Sequence, residues 1–296
     1  MFLNFNFKKI RYALEAPFVW FGLIFFRSLK IENASNLAGK IAVFIGKKIA
    51  VNNLAIKNLS NALPHLNQFQ KNEIIEGMWE NLGRVIGEFP HICKMTADQI
   101  KKYVEIDENS QKILNDLIDR NQGGIIFSAH FGNWEIGPKI LLNYGLKVKT
   151  FYRPLNNPFV EKMTSSLRGV QMIEKGSEGN RQLINALRNK EFIIIMADQK
   201  VSDGEPIKFF HDEAITTTSI AKIALKYNIP LVPGFILRIN NQFKFLLKIE
   251  NPLAIDKLNS LNSQATNLTL KINQHIEKWV SKNPEQWFWV HNRWKK

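Results

Sequence analysis

The hydrophobic period of this chain changes once. From Asn36 to about Val104, apolar residues recur at steps of three and four, as in "NLAGKIAVFIGKKIAVNNLAIKNLSNAL" and "QKNEIIEGMWENLGRVIGEFPHI". That spacing predicts helices, with Pro90 ending the second. Past Gln122 the period shortens. "GGIIFS" (Gly123 to Ser128) predicts a short buried strand, and the alternating "LKVKTFY" (Leu146 to Tyr152) a second. "FIIIMA" (Phe192 to Ala197) is a continuous branched run, the pattern of a strand covered on both faces. "LVPGFILRI" and "FKFLLKIE" add two more, joined through Asn240-Asn241 as a predicted hairpin. Helical patterns fill the intervals at 135–143, 158–167, 181–188 and 216–227, with Asn157 before Pro158 as one helix start. A last amphipathic helix is predicted over 265–282. Strands alternating with helices require crossovers, so the expected fold is α/β, a mostly parallel central sheet flanked by helices.

The N-terminus stands apart. In "KKIRYALEAPFVWFGLIFFRSLK" the stretch from Ala16 to Phe26 carries no charge or amide, while Lys8, Lys9 and Arg11 precede it and Arg27 and Lys30 follow. A bilayer-crossing helix needs about 20 apolar residues, and this core is short of that. No small-x-small cleavage site follows, which argues against a signal peptide. Positive charge on both flanks, with Trp20 and Phe21 between, suits an uncleaved membrane anchor, spanning or interfacial. A buried helix is the alternative. The expected organisation is an anchor over 1–30, a helical region over 31–118, and an α/β core with a C-terminal helix over 119–296. Residues 31–296 are expected to form one folded unit.

Composition sharpens this picture at two points. The 296 residues include 40 Lys and Arg against 26 Asp and Glu, a formal charge of +14. Such a chain favours anionic partners: nucleic acid, an acidic membrane surface, a phosphorylated substrate or an acidic carrier protein. The excess is also consistent with a general bias, shared with the many Asn and Ile. The single cysteine, Cys93, permits no disulfide within the chain and no cysteine-based zinc site.

Candidate chemistry centres on "SAHFGNWEIG", residues 128 to 137. His130 falls just past the first buried strand and Glu135 at the start of the next predicted helix. On one continuous helix a spacing of five sets two residues about 140° apart, so they would not share a face. A strand-turn-helix corner removes that objection, with Gly132 and Asn133 as the permissive backbone. An imidazole is a general base near neutral pH, and a carboxylate on its other nitrogen fixes the tautomer. The residue types alone equally allow a core histidine and a capping glutamate. Asp198-Gln199 ends a buried strand, as a strand-end cap or as support for a site. Trp287, Trp289 and Trp294, interleaved with His291 and Arg293, admit three readings: a base-stacking surface, a membrane interface or ordinary packing. No G-x-x-x-x-G-K-[ST] or H-E-x-x-H occurs. His211, Asp212 and Glu213 are sequence neighbours, which rarely converge, so neither a metal nor a cofactor is expected.

"H-F-G-N-W-E" resembles the H-x-x-x-x-[DE] signature of glycerolipid-type acyltransferases. "FYRPLNNPFVEKMTSSLRGV", "IIIMADQK", "IKFFHDEAITTTSIAKIAL", "IPLVP" and "NPEQWFWVHNRWK" follow in order. Together these resemble the bacterial lipid A biosynthesis acyltransferases, the late, lauroyl/myristoyl-type enzymes, across nearly the whole chain. The resemblance implies a glycerolipid-acyltransferase-like fold at the cytoplasmic face of the inner membrane. It implies acyl transfer from acyl-carrier protein to a hydroxyl of a phosphorylated glucosamine disaccharide lipid, of the Kdo-lipid IVA type, with inner-membrane lipids as neighbours and no nucleic acid. His130 would be the base and Glu135 its orienting carboxylate. Arg168 would bind phosphate or the developing oxyanion, Arg153 would help position its loop, and Asn133 or the Gly132 backbone would supply further donors. The sequence departs from the family pattern at His211, where a glycine is expected after Phe210. Acyl transfer to a glycerol-phosphate or mannoside acceptor uses the same chemistry. A basic membrane-surface or nucleic-acid-binding module without activity is the reading of another class.

Overall fold

The computed structural model describes residues 7–294. The elements in chain order are α1 (Phe7–Ser28), α2 (Ile31–Gly46), α3 (Val51–Ala62), α4 (Gln68–Ile92), α5 (Ala97–Tyr103), β1 (Val104–Ile106) and α6 (Glu108–Arg120). There follow β2 (Gly124–Ser128), α7 (Gly137–Asn143), β3 (Val148–Tyr152), α8 (Pro158–Ser165), β4 (Gln171–Glu174), α9 (Ser177–Arg188) and β5 (Phe192–Met196). A hairpin of β6 (Glu205–Phe209) and β7 (Asp212–Thr216) precedes α10 (Ser219–Tyr227), β8 (Leu231–Arg238), β9 (Phe245–Ile249) and α11 (Leu261–Lys282).

Seven strands form one sheet in the order β1-β9-β8-β2-β5-β3-β4. Every neighbouring pair is parallel except β8 and β9. The exception follows from the turn between them. Asn240 and Asn241 both take positive φ, and the Gln242 N–H donates to the Ile239 carbonyl at 3.0 Å, the geometry of a tight type I′ hairpin. The central strands β2 and β5 are the branched runs seen in the sequence. Their two faces feed two separate apolar clusters, Ile125, Phe127, Ile193 and Ile195 on one side and Ile126, Ile194 and Phe192 on the other. Burial on both faces is what permits a run without polar alternation.

The helical region forms as its period predicts, with one boundary moved. Pro90 lies inside the last turn of α4, which runs on to Ile92. Asn67 opens that helix with a capping box, accepting from the Gln70 N–H while the Gln70 side chain accepts from Asn67 N–H. Helix α4 packs closely on α2: a Cβ added at Gly87 would lie 2.5 Å from the Ala34 carbonyl oxygen. The polar hairpin β6–β7 pairs outside the main sheet. The positive φ in its turn falls on Phe210, at 58°, so the backbone sets no demand for glycine at His211.

Buried between the layers is an ion pair. Arg238, on β8, donates from Nη1 to Glu88 Oε1 at 2.5 Å and from Nη2 to Oε2 at 2.9 Å, and both side chains are sealed from solvent. Ser35 of α2 donates to Glu88 Oε1 at 2.6 Å, and Arg238 Nε donates to Asn81 Oδ1 at 2.9 Å. The network thus ties α2 and α4 to the sheet. Removing one member of a buried, hydrogen-bonded pair strands the other charge, so Glu88→Ala or Arg238→Ala should each cost about 3–5 kcal/mol. Urea unfolding should find the double variant less destabilised than the sum, because the second change removes a charge already orphaned.

Candidate active site

Strands β2 and β5 run side by side in parallel, with Ser128 opposite Met196. Two residues beyond each end stand His130 and Asp198, so parallel register brings together residues 68 positions apart. In open α/β sheets the carboxyl ends of the strands are where ligands bind. The Asp198 carboxylate accepts three hydrogen bonds there. His130 N–H donates to Oδ2 at 2.8 Å, Trp287 Nε1 donates to Oδ2 at 2.9 Å, and His130 Nδ1 lies 2.8 Å from Oδ1. The carboxylate is fully buried, while the His130 side chain retains 16% of its exposure. The imidazole is therefore both anchored and reachable. With an ionised carboxylate on Nδ1, that nitrogen carries the proton and Nε2 presents a lone pair. Gln199 Nε2 stands 3.3 Å from it.

This arrangement corrects the expected His130–Glu135 contact. Glu135 lies in the turn before α7, and its Oε2 receives Arg168 Nε at 3.2 Å. Its charge raises the His130 pKa, but the carboxylate hydrogen-bonded to the ring is Asp198. The strand-end role weighed for Asp198 is real, since it holds the turn by its backbone contact, and the same carboxylate orients the ring.

Asn133 and Gly132 also depart from expectation. The Asn133 amide is fully buried, donates to Glu88 Oε2 at 2.5 Å, and its Oδ1 accepts from the N–H groups of Glu135 and Ile136. Gly132 N–H donates to the Gln286 carbonyl at 2.9 Å, and Asn81 Nδ2 donates to the Gly132 carbonyl at 2.9 Å. Both residues hold the turn through these bonds, which occupy the Gly132 N–H and one N–H of the Asn133 amide. Only glycine fits at 132: its φ is +57°, and an added Cβ would lie 1.9 Å from the Ile236 carbonyl oxygen.

Arg168 bridges two carboxylates, Glu135 and, from Nη1 at 3.7 Å, Glu161, and lies over the Tyr152 ring at 5.1 Å. Tyr152 donates its hydroxyl to Glu161 Oε1 at 2.7 Å, and burial together with that carboxylate raises its pKa. Arg168 is thus paired in charge within the protein, while its buried Nη1 makes no hydrogen bond. Arg153 is exposed and donates to Asn156 Oδ1 at 3.2 Å, a local loop contact.

The C-terminal segment closes the site from one side. Phe131 and Trp287 form an antiparallel bridge, and Phe288 N–H donates to the His130 carbonyl at 3.1 Å. Trp287 and Trp289 are buried against Phe209 and Phe210, so these tryptophans pack into the core and offer no stacking surface. His291 lies with its ring centroid 4.8 Å from that of His130, and Asn58 Nδ2 holds its carbonyl at 2.6 Å. Sequence reasoning noted His291 only as a neighbour of the tryptophans. No local spacing signals its approach to His130, because 161 residues separate them. Burial, then the neighbouring His130 charge, lowers its pKa to about 4, so it stays neutral in water near pH 7. His130, Asp198 and His291 are of metal-ligating type and offer ligand atoms within 4.8 Å of one another. Two of the three are already joined by the Nδ1–carboxylate hydrogen bond. A small apolar cavity of about 20 Å³ adjoins the turn, lined by Ser128, Trp134, Leu141, Met196, Gly234 and Phe235 among others. Trp134 also touches His130, ring centroids 5.2 Å apart.

A carboxylate-oriented imidazole thus stands at a strand end beside a patch of apolar side chains. The bacterial lipid A biosynthesis acyltransferase family matches residues 4–296, and the chain belongs to that family. It is 24% identical over 252 residues to a lipid A biosynthesis acyltransferase of Haemophilus influenzae, covering 82% of this chain and 76% of the relative. It is 23% identical to the Escherichia coli lipid A biosynthesis palmitoleoyltransferase, over 82% of this chain and 78% of the relative. The Escherichia coli lipid A biosynthesis lauroyltransferase is 21% identical, over 87% and 82%. The protein is an acyltransferase of lipid A biosynthesis.

Burial disfavours the His130 cation, but the charge of Asp198, its hydrogen bond and the charge of Glu135 outweigh that, and the pKa is raised above 6.5. A raised imidazole pKa stabilises the fold fully below pH 6.5, and the contribution is lost as pH rises through the folded value. In Asp198 burial opposes ionisation, yet the charge and hydrogen bonds of His130 prevail and lower the pKa below 3.8. Its contribution is present above that pH and lost on acidification. NMR titration of labelled histidine should place His130 above 6.5 in the native protein and lower in Asp198→Asn. A wild-type value at or below 6.5 would refute the pairing.

Proposed function

We propose that the protein transfers a fatty acyl chain from acyl-carrier protein to a hydroxyl of a phosphorylated glucosamine disaccharide lipid of the Kdo-lipid IVA type. The observation that carries the mechanism is the 2.8 Å bond from Asp198 to His130 Nδ1, which leaves Nε2 as proton acceptor at a reachable surface. In this reading the acceptor hydroxyl gives its proton to Nε2 as its oxygen attacks the thioester carbonyl carbon. The imidazolium, stabilised by Asp198 and by the charge of Glu135, returns the proton to the departing thiolate. No serine or cysteine nucleophile takes part. Glu135 acts through its charge and through Arg168, which it holds over Tyr152. Apolar side chains around Trp134 border the base and offer the hydrocarbon arm a surface to lie against.

We place the enzyme at the cytoplasmic face of the inner membrane, with the acidic carrier protein and the phosphorylated acceptor as the anionic partners suited to its charge of +14. Among the described residues no helix is long and apolar enough to cross a membrane. One face of α1 packs on α4 and α8, where Asn157 Nδ2 donates to the Tyr12 carbonyl at 2.9 Å. The opposite face turns Leu14, Phe18, Phe21 and Phe25 to the outside, at steps of four, three and four. With basic residues at both helix ends, that face suits an anchor lying in the bilayer interface.

The decisive experiment is incubation of the purified full chain with acyl-carrier protein thioesters and the tetra-acylated acceptor, with mass spectrometry of the lipid. A product heavier by one acyl group is expected, and His130→Ala should lower the rate roughly a hundredfold or more, the scale of general-base loss. A folded His130→Ala variant with full activity would remove the mechanism. Transfer only to a glycerol-phosphate or mannoside acceptor would reassign the substrate. For the anchor, co-sedimentation with phosphatidylglycerol vesicles should exceed that with phosphatidylcholine vesicles and weaken with salt. Phe18→Glu/Phe21→Glu should abolish it; binding unchanged by that pair would place the membrane contact elsewhere.

A further inference from the structure

We infer that Gln199 is a catalytic residue: its side-chain amide covers the proton-accepting nitrogen of His130 at rest and, once the acceptor hydroxyl takes that place, donates to the oxygen on which negative charge develops. The inference rests on the base assignment above and adds the group that assignment lacks. Acyl transfer through a tetrahedral intermediate needs a hydrogen-bond donor at the carbonyl oxygen, and such donors are among the largest contributions to rate. The residues first suggested for this duty are tied into the protein by contacts other than the His130 Nε2 contact that Gln199 makes. One N–H of the Asn133 amide donates to Glu88, the Gly132 N–H donates to the Gln286 carbonyl, and Arg168 is paired with Glu135 and Glu161, its buried Nη1 making no hydrogen bond.

Gln199 is differently placed. It follows the buried Asp198 directly, so the strand end that sets the carboxylate at Nδ1 also delivers the amide to Nε2. Its side chain is exposed, and its Nε2 stands 3.3 Å from His130 Nε2. Nδ1 is occupied by Asp198, so the amide N–H lies at the imidazole lone pair, the point an acceptor hydroxyl must reach. An arriving oxygen displaces the amide by about its own diameter, and the freed N–H remains beside the forming bond. The oxygen–carbon bond then forms, the carbonyl π pair moves onto the carbonyl oxygen, and the hydroxyl proton passes to Nε2. Collapse re-forms the carbonyl and breaks the carbon–sulfur bond, and the thiolate leaves with the proton from Nε2. Gln199 donates a hydrogen bond throughout and transfers no proton.

The test compares single-turnover rates at saturating acyl-carrier protein thioester and acceptor for the wild type, Gln199→Met, Gln199→Glu and His130→Ala, each checked for an unchanged thermal transition. Methionine keeps the length and removes the donor; glutamate keeps the length and sets a negative charge where the oxyanion forms. Gln199→Met should lower the rate constant about a hundredfold to a thousandfold, the effect of deleting one oxyanion donor. The concentration needed for half-saturation should stay within about threefold, since the donor acts only after charge develops. Gln199→Glu should be slower still. Wild-type turnover in Gln199→Met while His130→Ala is dead would overturn the role of Gln199 alone. A loss confined to half-saturation would overturn it as well, by reducing the amide to substrate binding. Full activity in His130→Ala would instead bring down the base assignment.

Discussion

The Asp198 carboxylate is the point on which the site depends. It is fully enclosed yet remains ionised, because three N–H groups converge on it: the backbone and ring of His130 and the indole of Trp287. A buried carboxylate without such partners would take up a proton. Each of the three bonds fixes a different part of the molecule. The first sets the exit of the chain from β2, the second the plane and tautomer of the ring, and the third the C-terminal segment that walls the site. The chemistry of the imidazole and the local architecture therefore share one electrostatic origin.

A second buried charge pair supports the first from below. Glu88 and Arg238 are enclosed where α4 meets β8, and Asn133 in the catalytic turn donates to the same Glu88. Gly132 is held from two directions, by Asn81 of α4 and by Gln286 beyond α11. The turn carrying His130 thus has little freedom of its own. This rigidity has a functional consequence, because a base is effective only where its lone pair keeps a constant direction relative to the incoming hydroxyl. The helical region bears on the turn through these contacts.

Membership of the lipid A acyltransferase family agrees with a molecule in which polar chemistry and apolar surface lie close together. The base sits beside a pocket lined by aliphatic and aromatic side chains, and α1 turns a row of large apolar residues outward between basic ends. Both features suit an enzyme that works on a lipid.

The sequence by itself determined the architecture wherever burial leaves a periodic trace. The branched runs of β2 and β5, the Asn240-Asn241 hairpin, the three- and four-step helices and the position of His130 past a buried strand are all local patterns. The short edge strands β1 and β4 and the polar β6–β7 hairpin left no such trace, being too brief or too mixed to show a period. The partners of His130 were decided by tertiary structure alone. A carboxylate five residues away looked the natural companion, but parallel pairing of β2 and β5 set one 68 residues away against the ring, and the C-terminal strap added His291. The reason is geometric: a turn can aim only one side chain, while the ends of adjacent parallel strands meet whatever their separation in the chain.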